Sequence, residues 1–194
     1  MTTLPHASFP MSFAYIKRYQ MVIDLTKVML SDSLLPAGFY FLEWHPAFIE
    51  RHAKTKYLSF CNEIDARIFP SFRQYDACLR LMRSIAEKSA FLPETTWLIV
   101  QGEPLKEVRD CATIQGLKHN DLLGAIQNVA VLPDFRGRGL GQSLVLKSLH
   151  GFRNAGITQV TLEVTAENTP AVCLYEKLGF RTVKTVYKET VAGI

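Results

Sequence analysis

No two cysteines in this chain stand at C-x-x-C spacing. Cys61, Cys78, Cys111 and Cys173 are far apart, so a zinc ribbon or a dithiol redox motif is excluded. Cys78 and Cys173 fall in helical patterns and Cys111 in a strand pattern, so buried free thiols are expected, and with them a reducing, cytoplasmic compartment. No apolar run approaches the ~20 residues of a membrane span. No basic residue precedes an apolar stretch near Met1, so no signal peptide is expected. Blocks of like charge are also missing. The 22 Lys and Arg are scattered among 18 Asp and Glu, giving +4 and a pI near 8.9. That argues against a nucleic-acid stripe and fits attraction to an anionic cofactor. There is no internal repeat, low-complexity tract or interdomain linker.

What remains is ordinary globular material, 48% hydrophobic and 21% charged over 194 residues, enough for one domain with an extension. Residues 1–13 read as a loose tail, and Tyr15 to Leu25 as a strand with Tyr15, Tyr19, Met21, Ile23 and Leu25 on one face. A turn over 31–38 precedes an aromatic-rich strand from Gly38 to Trp44. Two helices follow, one opened by Pro46 and one carrying Ala77, Cys78, Leu81, Met82 and Ile85 on one face. Thr95 to Gln101 and Val108 to Gln115 read as a hairpin around Gly102-Glu103-Pro104. Gly116 to Gly124 reads as a polar loop with His119, Asn120 and Asp121. The chain then alternates strand, helix, strand, helix, strand to Lys188. The division expected is residues 1–37 as tail and extra strand, and 38–194 as the main domain.

The stretch Arg136-Gly137-Arg138-Gly139-Leu140-Gly141 carries the first chemistry. It lies between an apolar strand, Ala125 to Leu132, and an amphipathic helix with Leu140, Leu144, Val145, Leu149 and Phe152 on one face. Lys147, His150 and Arg153 face away. A helix start leaves backbone N–H groups unpaired and adds partial positive charge, and glycines let that backbone approach a ligand. Together these features can hold phosphate. The stretch is not a P-loop, because no Gly-Lys-Ser/Thr closes it, nor the dinucleotide G-x-G-x-x-G. A tight turn alone is the alternative reading.

Arg136, Gly139 and Gly141 occupy the fixed positions of an Arg/Gln-x-x-Gly-x-Gly/Ala loop, preceded by Val129, Val131 and Pro133. Further on, Asn168-Thr169-Pro170-Ala171-Val172-Cys173-Leu174-Tyr175-Glu176-Lys177-Leu178-Gly179-Phe180 follows an Asn-x-x-Ala-x-x-Leu-Tyr-x-x-x-Gly-Phe pattern. Both segments resemble the GNAT superfamily of acetyltransferases, and the resemblance runs from about Phe39 to Tyr187, sharpest from Gly124 onward. It implies an α/β fold: a mixed, mostly antiparallel twisted sheet flanked by helices and splayed at two strands around acetyl-CoA. Few residues follow Tyr187, which leaves little room for the family's last strand. The Tyr15–Leu25 strand could supply an edge strand instead, and such an exposed strand could support a homodimer.

The resemblance further implies amine attack on a thioester with both substrates bound. Val129, Ala130 and Val131 would pair with pantetheine amides. The backbone of Gly137, Arg138, Gly139, Leu140, Gly141 and Gln142 would hold the pyrophosphate, with Arg136 or Arg138 adding a contact or else lying solvated at the surface. N–H groups along Asn128 to Val131 are the candidates for stabilising the oxyanion. Tyr175 resembles the family's general acid, with a core tyrosine as the alternative. Asn168 either bonds the cofactor or caps its helix. No strand carboxylate is present, because Gln127 and Asn128 stand where some relatives place a glutamate. The base therefore stays open, with Glu63, Asp65, His119, Asp121 and Glu163 as candidates and a non-catalytic acyl-CoA-binding module as the alternative function. Glu63 and Asp65, in a loop between the first two helices, read either as solvated acids at a helix end or as part of a pocket for a cationic acceptor, a small molecule or a peptide. No metal, nucleic acid or membrane is expected.

Overall fold

The structure is a computed structural model and describes residues 14–102 and 108–190. The tail over 1–13 and the hairpin turn at Glu103-Pro104 lie outside the described residues. Seven strands form one sheet: β1 (Ala14–Asp24), β2 (Phe39–Glu43), β3 (Trp97–Gln101), β4 (Arg109–Lys118), β5 (Leu123–Val131), β6 (Gln159–Thr165) and β7 (Arg181–Thr190). Their order across the sheet is β2-β3-β4-β5-β6-β1-β7, and every neighbouring pair is antiparallel except β5 and β6. The helices are α1 (Ile49–Phe60), α2 (Asp65–Ile68), α3 (Tyr75–Ala86), α4 (Leu140–Asn154) and α5 (Thr169–Lys177). No helix among the described residues is long and apolar enough to cross a membrane.

Two cores lie on the sheet. The larger joins Met21, Ile23, Ile99 and Ile114 to the apolar stripe of α4, where Leu144, Val145, Leu149 and Phe152 are all buried. The smaller packs Cys78, Met82 and Ile85 of α3, at helical spacing, against Ala53, Phe72 and Leu117. The polar residues of α4 are not simply solvated. Ser143, His150 and Arg153 bond the carbonyls of Leu34, Ser31, and Leu25 and Val28, pinning the connection that leaves β1.

The first strand corrects one expectation. β1 is not at an edge: it lies between β6 and β7 and pairs with both. An edge position would leave one row of its backbone groups unpaired beside Met21 and Ile23, which are buried. The edge falls instead to β7, whose Arg181, Thr182, Lys184 and Thr185 are exposed polar residues suited to it. The argument for a dimer through an exposed β1 goes with this.

The loop expected over 116–124 is also shorter. Gly116, Leu117 and Lys118 continue β4 and pair with Ile126, Ala125 and Gly124. Gly124 is a glycine because the Phe152 ring packs where its Cβ would stand, and Gly116 because the Thr95 side chain and the Phe152 ring do, not because the chain turns there. Of the four thiols, Cys78 and Cys111 are buried, Cys61 is half-buried and Cys173 is exposed, because α5 fully buries only Tyr175. Desolvation raises both buried thiols, Cys111 to about 11.

Candidate active site

The site begins where two strands part. β5 and β6 pair in parallel only at Leu123–Gln159, Gly124–Val160 and Ala125–Thr161. Just beyond, Gln127 is an extra residue on β5, since Gln115 opposes Asn128 while Gly116 opposes Ile126. A bulge bends its strand and increases local twist, so β5 leaves β6 at that point. β6 remains held on its far side by β1. From Ile126 to Val131, β5 therefore has no strand partner among the described residues on the side facing the gap.

At the far end of β5 the glycine loop meets α4. Gly137 and Gly139 have φ of 73° and 79°, a left-handed conformation that costs a side-chain-bearing residue about 1–2 kcal/mol. Gly139 is the N-cap and makes no side-chain cap bond, so the first N–H groups of this 15-residue helix are left for a ligand. A cavity of about 360 Å³ opens on this backbone, lined by Val129 to Val131, Arg136, Gly137 and Gly139 to Gln142, with Asn168 and Tyr175 opposite. The arginines are turned elsewhere. Arg136 bonds Glu63 at 2.8 Å and the carbonyls of Ser59 and Val131, so it ties the loop to α1. Arg138 bonds the Asp134 carbonyl and stacks over Phe135. The polar groups that the loop leaves unengaged at this cavity are therefore backbone N–H groups.

A second cavity, of about 440 Å³, lies on the other side of Tyr175. Phe60, Asp65, Val129, Asn168, Ala171 and Tyr175 line both spaces, so the two meet there. Asn168 caps α5, its side chain accepting from the Ala171 N–H at 3.2 Å. Tyr175 is buried on the stripe of α5, edge-on to Phe180. Burial first, and the Asp65 carboxylate second, push its phenol above the usual value of 10, so it stays protonated throughout the neutral range. A protonated phenol beside both cavities is a proton donor.

The candidate carboxylates are engaged. Glu63 pairs with Arg136 at 2.8 Å. Asp65 Oδ1 accepts from Arg18 at 2.6 Å and from Thr165 at 2.9 Å. Glu163 pairs with Lys188 at 2.7 Å. His119 is exposed at the rim of the second cavity, and Asp121 is paired with Lys118 outside it. Sequence reasoning missed Arg18. It is only 5% exposed, and besides Asp65 it bonds Thr165 and the Glu163 carbonyl. No motif marks it. The available signal was its place two residues from Ile16 on an alternating face, where a buried cation must find partners. Gln127 was read only as the absence of a base. Its role as the bulge is invisible without the pairing register.

Known proteins agree with this arrangement. The FR47-like protein family matches residues 106–188, the part containing both motifs. A mycothiol acetyltransferase of Saccharomonospora viridis is 46% identical over 63 residues, 32% of this chain and 21% of the relative, so the match spans about a fifth of that protein. The fold resembles a GCN5-related N-acetyltransferase from Sphaerobacter thermophilus, with a TM-score of 0.68 at 22% identity over 94% of this chain and 54% of the other. It also resembles an aminoglycoside N-acetyltransferase in complex with CoA, with a TM-score of 0.54 at 16% identity over 79% and 95%. With two motifs in order, a sheet that opens between β5 and β6, and a glycine loop at the mouth of that opening, the chain has the fold of the GNAT acetyltransferases, and its residues 106–188 match the FR47-like protein family.

Proposed function

We propose that the chain is an acetyl-CoA-dependent N-acetyltransferase that moves the acetyl group to a primary amine while both substrates are bound. The observation that carries this is the junction of two cavities at Tyr175, one lined by an anion-binding backbone and one open to an acceptor. Acetyl-CoA supplies the activated acyl group and a thiol leaving group. The unpaired edge of β5 beyond Ala125 and the start of α4 offer the backbone donors that would hold it. In the transfer, the amine nitrogen bonds the acyl carbon as the carbon–sulfur bond breaks. The proton lost by nitrogen balances the one gained by sulfur. N–H groups between Asn128 and Val131 would meet charge developing on the acyl oxygen. The Tyr175 hydroxyl is the donor toward sulfur. Glu63 and Asp65 are each bonded to an arginine, so we assign neither as base. The amine arrives neutral or gives its proton to solvent. The unpaired thiols support a cytoplasmic location.

Titration calorimetry with acetyl-CoA tests the reading: saturable binding is expected, and none overturns it. Thiol release on adding amines separates an enzyme from a binding module of the same fold. Gly139→Val should weaken acetyl-CoA binding about tenfold, because a branched side chain at φ 79° forces the loop to rearrange. Unchanged affinity would remove the loop from the cofactor site. Because the Tyr175 phenol is held above its usual 10, the rate profile should show no alkaline loss from this group below pH 10.

A further inference from the structure

The second cavity carries information about the acceptor. Only Asp65 and Glu163 contribute carboxylates to its lining among the described residues, and both are already neutralised. Asp65 is held by Arg18 at 2.6 Å, and Glu163 by Lys188 at 2.7 Å with Arg18 Nε a further 3.6 Å contact. Three cations, Arg18, Lys88 and Lys188, therefore face two carboxylates. Much of the remaining wall is apolar: Phe60 and Phe72 stack at 4.7 Å and 14°, Leu81 and Ile85 come from α3, and Ile126 and Leu162 come from the parted strands. A molecule with three or more ammonium groups would find too few unengaged carboxylate oxygens here and would meet like charge. Burying an aryl or alkyl body against this wall is favourable at roughly 25 cal/mol per Å².

One place can receive a single amine. Asp65 lies at the junction of the two cavities, close enough for its charge to act on Tyr175. Both of its recorded hydrogen bonds land on Oδ1, from Arg18 and Thr165. The second oxygen carries no hydrogen bond from the described residues. We infer that the acceptor is a monoamine on an apolar, aromatic-sized body, docked through Asp65, and that polyamines and aminoglycosides are poor acceptors. This rests on the acetyltransferase reading. Arg18 is a positioning residue in it, fixing Asp65 from β1.

The test compares phenethylamine, spermidine and kanamycin as probes of acetyl-CoA-dependent thiol release by the full chain, with acetyl-CoA binding measured separately. Phenethylamine should exceed both others at least tenfold in kcat/KM. Leu81→Glu, which places an unpaired carboxylate on the partly exposed apolar wall, should move the ratio at least tenfold toward spermidine. Spermidine or kanamycin matching phenethylamine in the parent protein overturns the inference without any variant. Acetyl-CoA binding with no turnover of phenethylamine also overturns it and leaves the cofactor site standing. No acetyl-CoA binding overturns the enzyme reading itself.

Discussion

Tyr175→Phe should bind acetyl-CoA within about twofold of the parent and lose at least about a hundredfold in single-turnover rate, the scale of one lost proton donor. The substitution is clean. The ring packs edge-on against Phe180 at 5.8 Å, and phenylalanine keeps that contact. Among the described residues the hydroxyl makes no hydrogen bond, so its removal leaves no orphaned partner in the protein. Folding and cofactor affinity then report on packing, and the rate reports on the hydroxyl. An undiminished rate would remove Tyr175 from the chemistry and leave it as a wall between two cavities.

Lys56→Met should raise stability at pH 7 by on the order of 4 kcal/mol, measured by urea unfolding. Lys56 is fully buried between α1 and α3, and among the described residues the only hydrogen-bond partner for its Nζ is the Met82 sulfur at 3.8 Å. Desolvation lowers its pKa from 10.5 to about 7. From pH 7 to 10.5 the unfolded chain holds a proton there that the folded chain has released, so this group makes the folded state gain stability as pH rises through that window. The advantage of Lys56→Met must therefore shrink between pH 7 and pH 10. A constant gap, or no gap, would show that the ammonium is solvated in the native state. His52, on the same buried face of α1, is lowered to about 3 for the same reason and is neutral at pH 7, bonded to Thr113 at 2.7 Å.

The helices and strands were legible because their apolar spacing is regular. α3 buries Cys78, Met82 and Ile85, and β6 buries Val160, Leu162 and Val164, as alternation and helical period require. The glycine loop and the α5 segment were legible because their residue types answer local backbone demands: left-handed φ at Gly139, a cap at Asn168. What could not be read was nonlocal. Gly116 and Gly124 read as turn residues until Phe152 was found against them. Asp65 read as an acid at a helix end until Arg18, 47 residues earlier, was found to hold it. On α1 the helical spacing of His52, Ala53 and Lys56 was legible, but that Thr55 and Ser59 are buried with them, making a largely polar inner face, was not.

The placement of β1 also sets a temporal order. Arg18 meets Thr165 across 147 residues, and Ala14 meets Thr190 across 176. Closing such separations is slow because chain entropy is lost before contacts reward it. During synthesis the earliest strand must wait, with its apolar residues uncovered, until β6 and β7 have both been made. The corner that joins Arg18, Asp65 and Thr165 can thus be completed only once β6 has been made, and a chain interrupted before β7 would lack the strand that holds β1's outer side.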